Sequence, residues 1–298
     1  MAVVVIAGSS GFLGTALTER LHANGHQVRR LVRRPATEPS EISWEPAAGR
    51  FPDEALTGAT HVINLAGAGV ADRRWTSARR QTILTSRVAP TTLLATSIAA
   101  TGRTDLTLVN ASAVGYYGDR GEDVLDESAA PGASFLARVC RAWEAATEPA
   151  AEAGARVVNL RTGIVLDTGG GALAQMLPLL RFGLAGPLGN GRQWWPWITR
   201  ADVLSAIQHV LLESVISGPV NLCAPNPARN RDVMASLARA VGKPAVLPVP
   251  GTALHMALGG FAAELLGSQR VVPDALLEDG FGFTWPDLDQ AAQHLLGE

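Results

Sequence analysis

Two tyrosines in the segment "ASAVGYYGD" have the type and position to carry out acid–base chemistry. Tyr116 and Tyr117 follow an apolar run on a glycine-bracketed loop, where a phenol could exchange a proton with a substrate oxygen during hydride transfer. Such a tyrosine normally works with a lysine four residues later, but Arg120 and Gly121 stand at those offsets. The single lysine of the chain, Lys243, is far away in the sequence. The loop therefore lacks the usual tyrosine–lysine pair.

A glycine-rich loop, "GSSGFLG", follows the first apolar strand and opens the first helix. Gly8, Gly11 and Gly14 have the spacing of a tight turn that lets the backbone approach a pyrophosphate closely. Free N–H groups and the helix dipole at this N-terminus favour the negative charge of that group. We therefore predict a dinucleotide-binding site at the start of the chain.

The end of the second strand, "QVRRLV", indicates which nicotinamide cofactor is bound. An acidic residue at this place would hold the ribose of NAD, but the chain has Arg33 and Arg34. A guanidinium group pairs with a 2′-phosphate, whereas a carboxylate would repel it. We therefore predict NADP(H), with Arg33 as the main contact and Arg34 beside it. The alternative is a solvated arginine pair in an arginine-rich protein.

The elements that must position these residues alternate along the chain. Apolar strand-like runs, among them "AVVVIAG", "HVINLAG" and "LTLVNASA", are separated by helix-like stretches such as "FLGTALTERLHANG". This alternation predicts an α/β fold, a Rossmann-like doubly wound parallel sheet with both faces covered. We expect residues 1–166 to form the nucleotide-binding domain and residues 167–298 a smaller C-terminal substrate lobe. The strand and helix around residues 199–225 are expected to return to the first domain.

Composition and charge exclude several other classes of protein. The formal net charge of −2 provides no electrostatic surface for nucleic acid or an anionic membrane, and no apolar run is long enough to span a bilayer. Cys140 and Cys223 form neither a disulfide framework nor a metal-ligand spacing, and the six histidines are scattered, so we expect no metal. The sequence has no G-x-S-x-G motif, so we do not expect a hydrolase. A chain that starts on a strand without a basic leader is expected to be soluble and cytoplasmic.

The loop "GNGRQWWPWITRADV" places bulky rings between glycines. Partly exposed aromatic residues on a loop often form the wall of a ligand pocket, so we predict Arg192, Trp194 and Trp195 as substrate-pocket residues. Trp197 and Ile198 are expected to serve packing. The alternative is that all the rings pack the two lobes together.

Motifs along the whole chain resemble the extended short-chain dehydrogenase/reductase superfamily. More narrowly, "ISWEP", "SRVAPT", "ASAVGYYGD", "WWPWITRADV" and "SQRVVP" are similar to its atypical branch, the NAD-dependent epimerase/dehydratase or "epimerase family protein" group. Residues from about 247 to 296 resemble the short C-terminal domain of unknown function of that group. The resemblance implies an NADP(H)-binding domain with a lobe that closes over a small-molecule substrate, and it allows a homodimer. The cofactor contacts that it implies are Gly8, Ser10, Gly11, Phe12, Leu13 and Gly14 in the first loop, Arg33, Arg34, Leu65, Ala66 and Arg87 beyond it, and Arg161 and Thr162 at the nicotinamide end.

The same resemblance places the missing pair on a helix. Ser112 matches the usual catalytic serine, but aligning Glu144 with the family's helix leaves Leu136 and Cys140 at the tyrosine and lysine positions. Three interpretations remain: a loop tyrosine donates the proton, water or a substrate group handles it, or bound cofactor is not turned over. We therefore predict an NADP(H)-dependent oxidoreductase or epimerase with Ser112, Tyr116 and Tyr117 as candidate catalytic residues. A non-catalytic NADP(H)-binding redox sensor or regulator is the alternative.

Overall fold

The computed structural model of the chain describes residues 1–245 and 247–297. Its strands are β1 (Val3–Ala7), β2 (Gln27–Val32), β3 (Glu41–Ser43), β4 (His61–Asn64), β5 (Thr107–Ala113), β6 (Val124–Leu125), β7 (Arg156–Thr162), β8 (Ile164–Asp167), β9 (Trp194–Trp195), β10 (Trp197–Thr199), β11 (Gly218–Leu222), β12 (Ala228–Arg229) and β13 (Arg270–Val271). Its helices are α1 (Phe12–Ala23), α2 (Ser77–Ala100), α3 (Phe135–Ala145), α4 (Glu148–Glu152), α5 (Gly171–Arg181), α6 (Arg200–Leu212), α7 (Asn230–Ala240), α8 (Gly251–Leu258), α9 (Phe261–Leu266), α10 (Asp274–Glu278) and α11 (Leu288–Leu296).

Seven of the strands form one parallel sheet in the order β11–β7–β5–β4–β1–β2–β3. The chain runs outward from β1 to β3 and then returns past β1 to β4, so the direction of winding reverses between β1 and β4. The carboxyl ends of these two strands therefore border the crevice where such sheets bind ligands. The predicted Rossmann-like, doubly wound fold is confirmed.

Strand β1 shows why both faces of the sheet are covered. Val4 and Ile6 join the core that contains buried residues of α1 and α6, whereas Val5 and Ala7 join the core that contains buried residues of α2. All four side chains are fully buried, as the unbroken apolar run requires. The strand is thus fixed from both sides, and with it the position of the glycine loop that follows.

A ladder of buried asparagines crosses the sheet just below its carboxyl edge. Asn64, Asn110 and Asn159 are register partners on β4, β5 and β7. The amide of Asn64 donates to Asn110 Oδ1 at 2.8 Å, and the amide of Asn110 donates to Asn159 Oδ1 at 3.1 Å. Because buried amides are costly without partners, this ladder fixes the relative positions of the three strand ends that border the site.

The chain after residue 166 builds a second cluster beside the sheet. It contains three short strand pairs: β9 with β12 lies wholly within it, whereas β6 with β13 and β8 with β10 connect it to the first part of the chain. Its core contains Trp195 and Trp197 together with residues of α5, α7 and α11. Helix α6 and strand β11 lie instead with the main sheet. The predicted division into two domains stays a prediction.

Two properties of the described residues concern other kinds of site. None of the helices within residues 1–245 and 247–297 has the length and apolarity to cross a membrane. Over the same residues, no group of three or more histidines, cysteines or carboxylates is arranged to hold a metal ion.

Candidate functional site

The glycine loop between β1 and α1 has a shape that larger residues could not adopt. Gly8 has a φ of +83°, and a Cβ atom there would lie 2.6 Å from the carbonyl carbon of Leu65. A Cβ atom on Gly14 would collide with the carbonyl oxygen of Gly8. Gly11 is the N-cap of α1, so the N–H groups of the first helical turn point out of the helix beyond it. The loop can therefore hold an anionic group against bare backbone.

The loop after β4 lies directly against this glycine loop. Leu65 donates its N–H to the carbonyl of Ala7 at 2.9 Å, and the N–H of Ala66 bonds to Asn64 Oδ1 at 3.2 Å. Leu65 and Ala66 are half-buried and pack against opposite cores of the sheet. The structure thus brings the predicted cofactor residues of β1 and β4 together at one edge.

The two arginines after β2 have different surroundings. Arg34 forms a bidentate pair with Glu41 of β3, with nitrogen–oxygen distances of 2.6 and 2.8 Å. This hydrogen-bonded pair lowers the pKa of Glu41 to about 2. Arg33 is exposed and has no ion pair within the described part of the chain. Arg34 therefore connects the end of β2 to β3, and the guanidinium group of Arg33 is available to a ligand.

Arg87 lies between the loop after β4 and helix α3. Its guanidinium group donates to the carbonyl oxygens of Ala68 and Ile83 at 2.9 and 3.0 Å and stands 4.9 Å above the ring of Trp143. Burial lowers the pKa of Arg87, yet a guanidinium remains charged. The close approach to Gly67, whose Cβ would lie 3.2 Å from the guanidinium carbon, places this cation against the backbone of the cofactor-side loop.

The end of β5 is covered by two side chains of α3. A Cβ atom on Gly115 would lie 3.2 Å from Leu136 Cβ and 4.0 Å from Cys140 Sγ. Burial raises the pKa of the Cys140 thiol to about 12. A leucine has no proton to exchange, and a thiol with a pKa of about 12 is a weaker acid than a free phenol.

Tyr117 is fully buried in a polar network behind this position. Its hydroxyl donates to Asn221 Oδ1 at 2.7 Å and accepts from Arg161 Nη1 at 3.0 Å. Arg161 also holds Glu144 with two bonds of 2.9 Å, and Ser112 Oγ donates to the same carboxylate at 2.6 Å. Burial raises the pKa of Tyr117 to about 12, so its proton is held more tightly than that of a free phenol. The structure therefore gathers Ser112, Tyr117 and Arg161, but their polar groups bond to one another and to neighbouring side chains.

The side chain of Tyr116 has different surroundings from that of Tyr117. Its half-buried ring is covered by the guanidinium group of Arg161, whose carbon lies 3.5 Å from the ring centre. The residue lines a groove of about 830 Å³ between α3, α4 and the outer strands of the sheet, together with Arg141, Glu144 and Glu148. The catalytic roles of both tyrosines and of Ser112 stay predictions.

The remaining predicted residues lie at two places. Thr162 is half-buried at the end of β7, where its hydroxyl donates to the carbonyl of Leu160 at 3.3 Å. Ser10 is exposed on the glycine loop, and Phe12 and Leu13 begin α1. The ring of Phe12 lies near the chain after β8, because a Cβ atom on Gly171 would approach it at 3.5 Å.

The three predicted pocket residues differ in burial. Trp195 is buried in the second core and donates its indole N–H to the carbonyl of Leu265 at 3.1 Å. Trp194 is half-buried, and its indole N–H donates to Glu122 at 2.9 Å. Arg192 is exposed. Trp194 and Arg192 thus reach the surface of the lobe, whereas Trp195 packs inside it.

An aromatic cluster that the sequence did not predict connects the two parts of the chain. The ring centre of Trp75, in the loop before α2, lies 5.1 Å from that of Phe135 on α3 and 5.6 Å from that of Phe261 on α9. Nearby, Glu264 of α9 accepts from Ser134 Oγ and Leu136 N at 3.4 Å, and burial raises its pKa. In the sequence, Trp75 ends the segment "DRRW", and nothing in that segment indicates a contact with α3 or α9.

Comparisons with known proteins agree with this geometry. Residues 4–223 match the NAD dependent epimerase/dehydratase family, and residues 249–295 match a domain of unknown function, DUF1731. The chain is 46% identical over 283 residues to an epimerase family protein of Mycobacterium bovis, covering 95% of this chain and 93% of that protein.

Two solved structures are similar over nearly the whole chain. The human epimerase family protein SDR39U1, crystallised with NADPH, has a TM-score of 0.90 and 33% identity and is matched over 99% of both chains. A nucleoside-diphosphate sugar epimerase of Corynebacterium glutamicum has a TM-score of 0.82 and 36% identity, covering 99% of this chain and 58% of that one.

Proposed function

The chain belongs to the NAD-dependent epimerase/dehydratase family, and on that basis we propose that it binds NADP(H) and acts as an oxidoreductase or epimerase on a small substrate with a carbonyl or hydroxyl group. The observation that carries the proposal is the glycine loop. Gly8 and Gly14 pack so tightly against Leu65 and each other that bare backbone faces the crevice between β1 and β4. This arrangement suits a pyrophosphate at the N-terminus of α1.

Arg33 supports the phosphorylated cofactor over NAD(H). Its neighbour Arg34 is bound to Glu41, whereas Arg33 is exposed at the end of β2, where a 2′-phosphate would reach it. A guanidinium can hold that phosphate with two charge-assisted hydrogen bonds. The human relative crystallised with NADPH, 33% identical, supports the same choice.

The chain's own residues determine how a proton could move. Bound NADPH would supply the hydride, while Leu136 and Cys140 offer no acid beside the end of β5. The hydroxyl of Tyr117 is engaged with Asn221 and Arg161, and its pKa of about 12 makes it a weaker acid than a free phenol. We therefore assign the proton to water or to a group on the substrate, with Ser112 held in place by Glu144. Tyr116 remains the alternative donor.

One observation favours a second candidate function. The family resemblance aligns Leu136 and Cys140 with a tyrosine and a lysine, and neither supplies the phenol or the ammonium group of that pair. A protein built this way could bind NADP(H) and report its redox state without turnover. For both candidate functions we propose a cytoplasmic protein, in which the two buried cysteines stay reduced. We also propose that the substrate lobe lies after residue 166 and that the protein forms a homodimer.

Turnover distinguishes the two candidates. Purified protein with NADPH is offered a panel of aldehydes and ketones, and oxidation of the cofactor is followed by absorbance in wild type, Tyr116→Phe and Tyr117→Phe. Turnover that survives in both variants supports the enzyme with a water or substrate proton. Turnover that vanishes in Tyr116→Phe alone makes that residue the donor. Tight NADPH binding without turnover on any compound supports the regulator instead.

A further inference from the structure

The segment between β4 and α2 carries a positive charge that the proposed cofactor contacts do not use. In "DRRWTSARR", residues 72–80, four arginines accompany one aspartate, although the whole chain has a formal charge of −2. Within residues 1–245 and 247–297, the one ion pair of these arginines joins Arg79 to Asp72. Arg79 and Arg80 also stand in the first turn of α2, where the helix dipole disfavours cations. The segment is therefore an electropositive place on a slightly acidic protein.

Arg80 lies beside an aromatic wall. Its guanidinium carbon is 5.3 Å from the ring centre of Phe135 and 5.9 Å from that of Trp75, and Trp75 in turn contacts Phe261. These distances are within the range of a cation–π attraction, which positions the guanidinium without using its N–H groups. The indole N–H of Trp75 bonds to the carbonyl of Val70 at 2.8 Å, which holds this wall in position.

Two glycines of the C-terminal part leave space for the arginine heads. A Cβ atom on Gly260 would lie 3.0 Å from Arg80 Nη2, and one on Gly259 would lie 3.5 Å from Arg74 Nε. The exposed guanidinium groups of Arg74 and Arg80 thus lie against neighbouring glycines of one backbone stretch without side chains, at the turn between α8 and α9. An anion bound at this turn would reduce the repulsion between the two positive charges.

The cluster also borders the proposed reaction centre. Phe135 directly precedes Leu136, which covers Gly115 at the end of β5. A substrate that reached the nicotinamide side of this position would therefore have the arginine–aromatic cluster (Arg74, Arg80, Trp75, Phe135 and Phe261) at its outer end.

We propose that Arg74 and Arg80 bind a carboxylate or phosphate group of the substrate, while the three aromatic rings pack against its apolar or planar body. The inference rests on the proposed function, since it assigns the substrate class of the same cleft. It restricts the carbonyl or hydroxyl substrate to anionic compounds.

Calorimetric titration of the NADP⁺-saturated protein tests this inference without requiring turnover. The probes are benzoate, its neutral isostere benzamide, and phenyl phosphate, applied to wild type, Arg74→Gln and Arg80→Gln. We expect benzoate or phenyl phosphate to bind about tenfold more tightly than benzamide, and each variant to lose most of that difference. The stronger of the two anions identifies the carboxylate or the phosphate as the preferred group. Arg73→Gln, which removes an exposed charge from the same segment, is the matched control and should retain the preference.

Two results would overturn the inference: benzamide binding as tightly as both anions, or an anion preference that both variants retain. Failure of both anions to bind would overturn it as well. Affinity for NADP⁺ and thermal stability, measured on every variant, separate a local loss from unfolding. If NADP⁺ itself fails to bind wild type, the proposed function is wrong, and titration of the free protein still tests the anion site.

Discussion

Leu136 of α3 packs directly over Gly115 at the end of β5, with 3.2 Å between its Cβ atom and the place where a Cβ of the glycine would stand. One helical turn later, Cys140 Sγ lies 4.0 Å from the same Cβ position. These two contacts fill with apolar and neutral groups the positions that the family resemblance assigns to a tyrosine and a lysine. The chain thus has suitable groups for binding the cofactor, whereas Leu136 and Cys140 supply neither the phenol nor the ammonium group for proton transfer.

The Tyr117→Phe variant should lose stability more than activity. Removing the hydroxyl leaves Asn221 Oδ1 and one N–H of Arg161 without their partner in a buried network, which costs about 1–3 kcal/mol of unfolding free energy. Urea unfolding measures this loss, and NADPH affinity should stay unchanged. Tyr116→Phe is the control, because its half-buried ring lines an open groove and the loss of its hydroxyl should cost less. Equal stability of both variants would contradict the role given to Tyr117.

Substituting Gly14 by alanine should abolish cofactor binding or folding of the first loop. The added methyl would meet the carbonyl oxygen of Gly8 and the Cα of Ser9, which are backbone atoms that cannot move aside cheaply. Gly282→Ala provides the control, since a Cβ atom there has no neighbour within 4 Å. NADPH titration and thermal unfolding of both variants measure the difference. Wild-type NADPH affinity in Gly14→Ala would show that the loop does not hold the pyrophosphate.

Acid should weaken the anchor between β2 and β3. The pKa of Glu41 is lowered from its ordinary value of 4.5 to about 2 in the folded protein, so the ionised carboxylate stabilises the fold above pH 4.5. This stabilisation is lost as the pH falls from 4.5 towards about 2. Urea unfolding at a series of pH values should therefore show the stability difference between wild type and Glu41→Gln shrinking across that window. A difference that is constant with pH would contradict the assignment.

Asp202 should hold the C-terminal part against the main sheet. Its buried carboxylate accepts the N–H groups of Thr284 and Trp285 at 2.8 and 3.0 Å. Asp202→Ala leaves both donors without a partner, and hydrogen bonds to a charged group contribute about 1.5–3 kcal/mol each. We expect a loss of unfolding free energy of that order, with faster proteolysis of the tail. Asp53→Ala, at an exposed position, should change neither property. A tail that resists proteolysis in Asp202→Ala as it does in wild type would show that Asp202 does not hold the C-terminal part in place.

The fold could be predicted from the sequence because its signals are local. The unbroken apolar run of β1 and the glycines after it determine a buried strand, a tight turn and a helix start within fourteen residues. The asparagine ladder was not predicted, although each strand concerned contains an asparagine, because the pairing of Asn64, Asn110 and Asn159 depends on strand order.

The site could be predicted only in part, because partners distant in the chain decide what each side chain does. Arg33 and Arg34 look equivalent in the sequence, and their difference arises from Glu41 on the next strand. Tyr117 looks like a reactive loop residue, but Asn221, 104 residues later, bonds to its hydroxyl. Trp75 and Phe261 are in contact because the C-terminal part of the chain packs on the loop between β4 and α2. Spacing in the sequence could not indicate this contact.

The affinities of wild type and Arg33→Ala for NADPH and NADH show whether Arg33 selects the phosphorylated cofactor. Loss of a charge-assisted phosphate contact should weaken NADPH binding by about 1.5–3 kcal/mol, roughly ten- to hundredfold in Kd, while NADH binding changes little. Fluorescence titration of both cofactors against both proteins gives the four dissociation constants. Equal weakening of NADPH and NADH, or NADPH affinity that is unchanged without Arg33, would contradict the account.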